Sequence, residues 1–234
     1  MGSRNRRCVT GICQCRDVVM RSQQIKDLYY ASFAKLTVFS YYWHRTFHRG
    51  NGSARYLNIG CGPKYVEGML NVDGNIFQKK DLWLDVTLGL PFPDNSVSGI
   101  YASHILEHFD AHHARKLLSE FYRILKPGGA VRLIVPSLEY AIRAYEEGNT
   151  GKLPGWPDTY GSIGGRFNNF MLCKNQHLTM FDFTFLEELL KVAGFPRIFR
   201  EQPHSSRYFS PDHMQFESDP SLKEVSLYAE AVKE

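Results

Sequence analysis

The stretch Tyr56-Leu-Asn-Ile-Gly-Cys-Gly-Pro-Lys-Tyr65 is an apolar run ending in two closely spaced glycines. Asn71-Val-Asp73 follows, then, after a short polar interval, Leu84-Asp85 and Leu90-Pro-Phe-Pro-Asp-Asn-Ser96. A strand, a sharp turn at its C-terminal end and carboxylates closing the next two strands are the parts with which an open α/β sheet holds a nucleoside-bearing ligand. Gly60 and Gly62 suit that turn because the backbone must bend sharply and approach the ligand with no Cβ between them.

The spacing also limits which ligand. A dinucleotide fingerprint needs a third glycine feeding a helix that holds a pyrophosphate; here Tyr65 stands at that place and Pro63 follows the second glycine directly. That argues against an NAD(P) oxidoreductase. The chain has no G-x-x-x-x-G-K-[ST], so a P-loop is excluded. Eight residues separate Gly60 from Met69 and seven separate Asp73 from Asp81, fewer than the roughly 10–12 that a crossover with a real helix requires. One sheet face is then short of helices, and another segment must cover it.

The candidate cover lies upstream. Ile25, Leu28, Tyr29, Phe33, Leu36, Phe39, Trp43 and Phe47 recur at steps of three and four, one face of a helix over residues 23–49. This helix either packs on the following domain or, with Lys26, Lys35, Arg45 and Arg49 among so many aromatics, lies in a membrane interface through residues 25–49. Residues 1–22 read as a disordered basic leader. Its Cys8, Cys13 and Cys15 match no common metal-ligand spacing. Residues 1–49 hold nine Arg/Lys against Asp17 and Asp27, whereas the remainder is slightly acidic. A body without a basic surface argues against nucleic acid as a partner. With 234 residues and 43% hydrophobic content, residues 50–234 suffice for one domain. No apolar run is long enough to span a membrane, and no secretory signal is legible, so a cytoplasmic setting is expected.

Beyond the turn the pattern alternates. Val97–Ala102 reads as a strand, and Asp110 caps a helix stopped by Lys126-Pro-Gly-Gly129. Ala130–Val135 is the next strand, and Ser137 caps a helix ending at Gly148. Residues 149–180, rich in Gly, Asn and Pro with weak periodicity, read as a long lid or binding loop. Thr184-Phe-Leu-Glu187 reads as a capping box opening a helix closed by Gly194. Phe195–Arg200 and Val225–Val232 then form an antiparallel pair.

Taken in order, Leu57-Asn-Ile-Gly-Cys-Gly62, Asn71-Val-Asp73, Leu84-Asp-Val86 with Leu90–Ser96, Ser103-His-Ile-Leu-Glu-His108, Arg123-Ile-Leu-Lys-Pro-Gly-Gly129 and Ser226–Lys233 resemble class I S-adenosylmethionine-dependent methyltransferases of the small-molecule and glycan branch. The resemblance covers residues 55–233. It implies a Rossmann-like three-layer α/β sandwich around a seven-stranded, mostly parallel sheet with an antiparallel last strand, and S-adenosylmethionine as cofactor. It further implies that Gly60, Cys61 and Gly62 pass under the methionine part, Asp73 binds the ribose, and Asp85 with the Val86 backbone reads the adenine. Asn58 stands where the family more often carries an acid; it hydrogen-bonds but offers no charge to the cofactor's ammonium group. The same resemblance implies that Ser103 lies beside the methyl group.

Methyl transfer to a hydroxyl requires alignment and a base. His104, His108 and His177 are the candidate bases. Tyr160 and Arg166, in a glycine-rich segment resembling the acceptor side of related enzymes, are candidates for holding a small-molecule, glycan or lipid-linked acceptor. His104-Ile-Leu-Glu107-His108 also spells the H-x-x-E-H of inverted zinc peptidases, but at a strand exit rather than within a long helix, so no metal is expected. The alternative to an enzyme is a non-catalytic module of this fold that recruits a partner or membrane through its N-terminal helix.

Overall fold

The computed structural model describes Ser32, residues 36–47 and residues 55–234. The expectations for the leader, its cysteines and the first half of the aromatic helix lie outside the described residues. Helix α1 (Thr37–Phe47) precedes the short parallel strands β1 (Arg55–Ile59), β2 (Leu70–Asp73) and β3 (Leu82–Trp83). Strand β4 (Val97–Ser103), helix α2 (Ala111–Ile124), strand β5 (Leu125–Pro136) and helix α3 (Leu138–Glu146) follow. Helices α4 (Ile163–Leu172) and α5 (Phe183–Ala193), strand β6 (Arg197–Glu201), the single turn α6 (Pro220–Lys223) and strand β7 (Ser226–Val232) complete the order. The strands form one sheet in the order β3-β2-β1-β4-β5-β7-β6. Only β7 runs antiparallel to both of its neighbours, as the expected architecture requires.

Neither crossover linking β1 to β2 and β2 to β3 contains a helix. Side chains do the work of the missing helical hydrogen bonds. Asn71 accepts from Val66 N at 2.9 Å and donates to Val66 O and Met69 O at 2.9 and 3.0 Å. Asp81 accepts from Asn71 N at 2.7 Å and from the Tyr65 hydroxyl at 2.8 Å. The bonds of Asn71 to Val66 and Met69, and of Asp81 to Asn71 N, satisfy backbone groups that a helix would otherwise have paired. Although partial burial alone would raise it, these donors hold the Asp81 carboxyl below its ordinary range.

Strand alternation divides the core between two faces. Leu57, Ile59, Ile100, Ala102, Val131, Leu133, Ala229 and Ala231 face α2 and α5. Tyr101, Ala130, Ile134, Tyr228 and Val232 face the other way and meet Val66, Met69, Phe209 and Met214. The aromatic helix over residues 25–47 was expected to cover the face left bare by the short crossovers; its first half lies outside the described residues, and its described part, α1, packs elsewhere. Tyr41 of α1 packs with the first face, fully buried Thr37 accepts from Asp85 N at 3.2 Å, and the helix lies against β3. Among the described residues, the bare face is covered by residues 202–219, which link β6 to β7. They are clamped by Arg132, whose guanidinium bonds Glu217 at 2.6 and 2.8 Å, Glu230 at 2.9 Å, and Ser205 O and Gln202 O at 2.9 Å. All five guanidinium N–H groups are thereby used, as burial of the charge demands.

Asp110 and Ser137 cap α2 and α3 as expected. Helix α5 starts earlier than Thr184: Asp182 is its cap, accepting from Phe185 N at 2.8 Å and from the Thr184 hydroxyl at 2.9 Å. The 149–180 segment, expected as an unstructured loop, contains α4. Gly164, Gly165, Asn168 and Asn169 hide its periodicity because each is a poor helix former. Its Phe170 and Met171 are buried with Ala141 and Ala144 of α3.

Candidate active site

The C-terminal ends of β1, β2 and β4 meet at one edge of the sheet. Gly60 has φ +67° and Gly62 φ +50°, conformations that glycine alone adopts without strain. Gly60 N and Cys61 N both donate to Val72 O, at 2.8 and 3.1 Å, which folds the turn over the end of β2. A Cβ at Gly60 would lie 2.5 Å from Ile105 Cδ1, so the β1 turn and the β4 exit are in direct contact. A Cβ at Gly62 would meet nothing within 4 Å; that side of the turn is open to a ligand.

The turn is fixed to the second strand by Gly62 N donating to Asp73 Oδ2 at 2.7 Å, while Asp73 Oδ1 accepts from Asn75 N at 2.6 Å. The carboxylate is thereby aimed, and each oxygen keeps a lone pair for a further donor. Asp85 accepts from Thr87 N at 2.9 Å and from the Thr87 hydroxyl at 2.8 Å, opening the helical turn Val86–Leu88. Capping a turn after a strand is the ordinary duty of an acid at this place, and Asp85 performs it. Asn58 is buried, and its amide donates to Lys64 O at 2.8 Å and Asn71 Oδ1 at 2.9 Å. Its N–H groups therefore brace the glycine turn from beneath. Cys61 is buried, and burial, aided by the Asp73 charge, pushes its thiol up to about 12; it is an inert packing group.

Ser103 ends β4, and His104 follows with φ +54°. His104 Nδ1 lies 3.2 Å from Glu107 Oε1 and Nε2 lies 3.1 Å from Ser226 Oγ. A carboxylate only accepts, so Nδ1 carries the proton and Nε2 is the basic nitrogen. His177 is brought over the same exit by the loop after α4: Leu178 N donates to Glu107 O at 2.8 Å, and the His108 and His177 rings are 5.2 Å apart. The structure thus brings the three predicted histidines together around Glu107, which sequence reasoning noted only within the H-x-x-E-H pattern. Tyr160 and Arg166 are placed apart from them, within the α4 segment. Arg166 donates to Tyr160 O at 2.5 Å and Leu153 O at 3.4 Å, and Gly155 and Gly165 leave room for these two side chains, since a Cβ on either would come within 2.7 Å of them.

A cavity of about 300 Å³ opens beside Ser226, with Ser137, Tyr140, Arg143, Arg200 and Lys223 in its wall. Arg200 pairs with Glu139. No helix among the described residues is long and apolar enough to cross a membrane.

The methyltransferase domain family matches residues 62–133, from the glycine turn into β5. No curated protein matches the sequence. Among solved structures, an S-adenosylmethionine-dependent methyltransferase from Archaeoglobus fulgidus superposes with a TM-score of 0.50 at 16% identity, over 89% of this chain and 99% of that one. An S-adenosylmethionine-dependent methyltransferase from Thermotoga maritima gives a TM-score of 0.50 at 16% identity, over 90% and 95%. The chain is thus similar to the methyltransferase domain family over residues 62–133, and it has the fold of S-adenosylmethionine-dependent methyltransferases.

Proposed function

We propose that this protein is an S-adenosylmethionine-dependent methyltransferase acting on a hydroxyl of a small molecule or of a glycan or lipid-linked precursor. The observation that carries the reading is the bond from Gly62 N to Asp73, which sets a carboxylate and an open glycine turn side by side where such sheets take a nucleoside. The residues fit the cofactor: Gly62 leaves space for it, Asp73 retains acceptor capacity for two ribose hydroxyls, and Asp85 with Val86 stands at the next strand end for the adenine.

Bound there, the cofactor supplies a methyl on a sulfonium, a leaving group that needs no activation. What remains for this chain is to exclude water, align the acceptor and take its proton. His104 is suited to the last task, because Glu107 fixes its tautomer and leaves Nε2 basic beside the cavity at Ser226. Arg143 and Lys223 share the cavity wall with Glu201 and Glu224, a mixed lining that suits a polar acceptor rich in hydroxyls. The exposed aromatic side of α1 is our candidate for peripheral contact with a membrane.

Calorimetry with S-adenosylhomocysteine tests the cofactor reading. Micromolar binding is expected, and no heat of binding up to millimolar ligand refutes it. His104→Gln should lower turnover while leaving cofactor affinity intact; unchanged turnover would remove His104 as the base.

A further inference from the structure

Beyond methyl transfer, the exit of β4 holds a group of lone pairs with no hydrogen among them. His108 Nδ1 lies 2.9 Å from Gln176 O, and His177 Nδ1 lies 2.9 Å from Met171 O. A carbonyl only accepts, so both Nδ1 atoms carry protons and each Nε2 presents a lone pair. Neither Nε2 has a hydrogen-bond partner among the described residues. Glu107 is 1% exposed. Its Oε1 is held by His104, while its Oε2 is buried with no partner. One ligand atom each from Glu107, His108 and His177 lies within 4.8 Å of the others.

A buried carboxylate oxygen without a partner, on a residue grouped with two imidazoles, is costly unless a cation joins them. We propose that Glu107, His108 and His177 bind one divalent transition-metal ion of the Zn²⁺ type. Two imidazoles select such an ion over Mg²⁺ or Ca²⁺, which take oxygen shells. Metal-bound imidazoles are commonly oriented by an Nδ1–H bond to a backbone carbonyl, the arrangement seen at both histidines. Metal–ligand distances of about 2.0–2.2 Å would draw the three groups slightly together.

His108 is exposed, which gives an ion a path from solvent. Three protein ligands leave a coordination position open for water or a hydroxyl. The position matters because Ile105, just before this segment, touches the glycine turn at Gly60. The metal site does not depend on the methyltransferase reading, and its test uses no cofactor.

The experiment titrates full-length, tag-free, EDTA-dialysed protein with Zn²⁺ alone by calorimetry and with Co²⁺ alone by visible absorption. One ion per chain is expected, with Co²⁺ showing ligand-field bands. His108→Gln, at an exposed position where folding should be undisturbed, is expected to weaken Zn²⁺ binding roughly 100-fold or more. His177→Gln and the isosteric Glu107→Gln should do the same, with circular dichroism confirming the fold of each. A Cys8→Ser, Cys13→Ser, Cys15→Ser variant should keep the ion. The proposal is overturned if folded wild-type protein binds Zn²⁺ no tighter than millimolar, if binding survives both histidine substitutions, or if the cysteine variant loses the ion.

Discussion

Gly62 N and Asp73 Oδ2 are 2.7 Å apart, so the turn after β1 and the carboxylate ending β2 form one unit. Asp73→Ala removes both the ligand's acceptor and the anchor of the turn. We expect it to weaken S-adenosylhomocysteine binding at least tenfold, about 1.4 kcal/mol, with Asp73→Asn intermediate because its oxygen still accepts from one amide. Calorimetry on the three proteins checks this, and equal affinities would place the ribose elsewhere.

The two glycines of that turn should respond differently to alanine. At Gly62 only the positive φ opposes a side chain, a cost of roughly 1–2 kcal/mol. At Gly60 a Cβ also collides with Ile105 Cδ1 at 2.5 Å, so Gly60→Ala should lower the denaturation midpoint further. Ile105→Val removes that Cδ1 and should restore part of the loss in the double variant; an additive double variant would contradict the contact.

Arg132, Glu217 and Glu230 are all essentially inaccessible to solvent. Removing the cation in Arg132→Met strands two buried carboxylates and should cost about 3–5 kcal/mol in urea denaturation. The partners are unequal. Glu217 binds Arg132 through both oxygens and also accepts from His204 N, whereas burial raises the Glu230 pKa and leaves its Oε2 unpartnered. Glu230→Gln should therefore be much milder than Glu217→Gln, and the reverse order would refute this reading of the cluster.

Stability should also depend on pH through His213. Its ring lies 4.4 Å from that of Tyr56, its Nδ1 is buried without a partner, and burial lowers its pKa below the ordinary 6.5. The unfolded chain therefore takes up this proton first as the pH falls. Stability is full above about pH 6.5 and declines below it. Urea midpoints between pH 5 and 7 should slope less in His213→Phe than in wild type; identical slopes would show that His213 does not contribute.

On α1, Phe39, Tyr42 and Trp43 are 72%, 62% and 60% exposed. If this side meets a lipid surface, cosedimentation with phosphatidylglycerol vesicles should fall roughly threefold or more in Phe39→Ser with Trp43→Ser. Absence of wild-type binding would dismiss the contact.

The glycine turn, the strand-end acids and the antiparallel ending were legible because each is a local pattern of a few residues. The helix-free crossovers were legible too, since eight residues between Gly60 and Met69 leave no room for a helix. What covers the bare face was not. That depends on Arg132 meeting Glu217, and a lone Arg inside an apolar strand gives no hint of its partner. The meeting of Glu107 with His177 was hidden in the same way, because the loop that joins them contains α4, whose glycines and asparagines mask it. Asn58 stood out as a departure from the family's acid, yet its bonds to Lys64 and Asn71 become visible only once the crossover folds back.

The clamp on the second sheet face has a consequence for the order of folding. Arg132 finds its two carboxylates 85 and 98 residues further along the chain. Contacts so distant form late, after a large loss of chain entropy. During synthesis, β1, β4 and β5 would leave the ribosome with Tyr101 and Ile134 beside Val66 and Met69 but without Phe209 and Met214, and with a guanidinium among them that keeps the nascent sheet hydrated. The arrival of residues 202–232 then neutralises that charge and expels the water, so closure of the domain waits for its last strand.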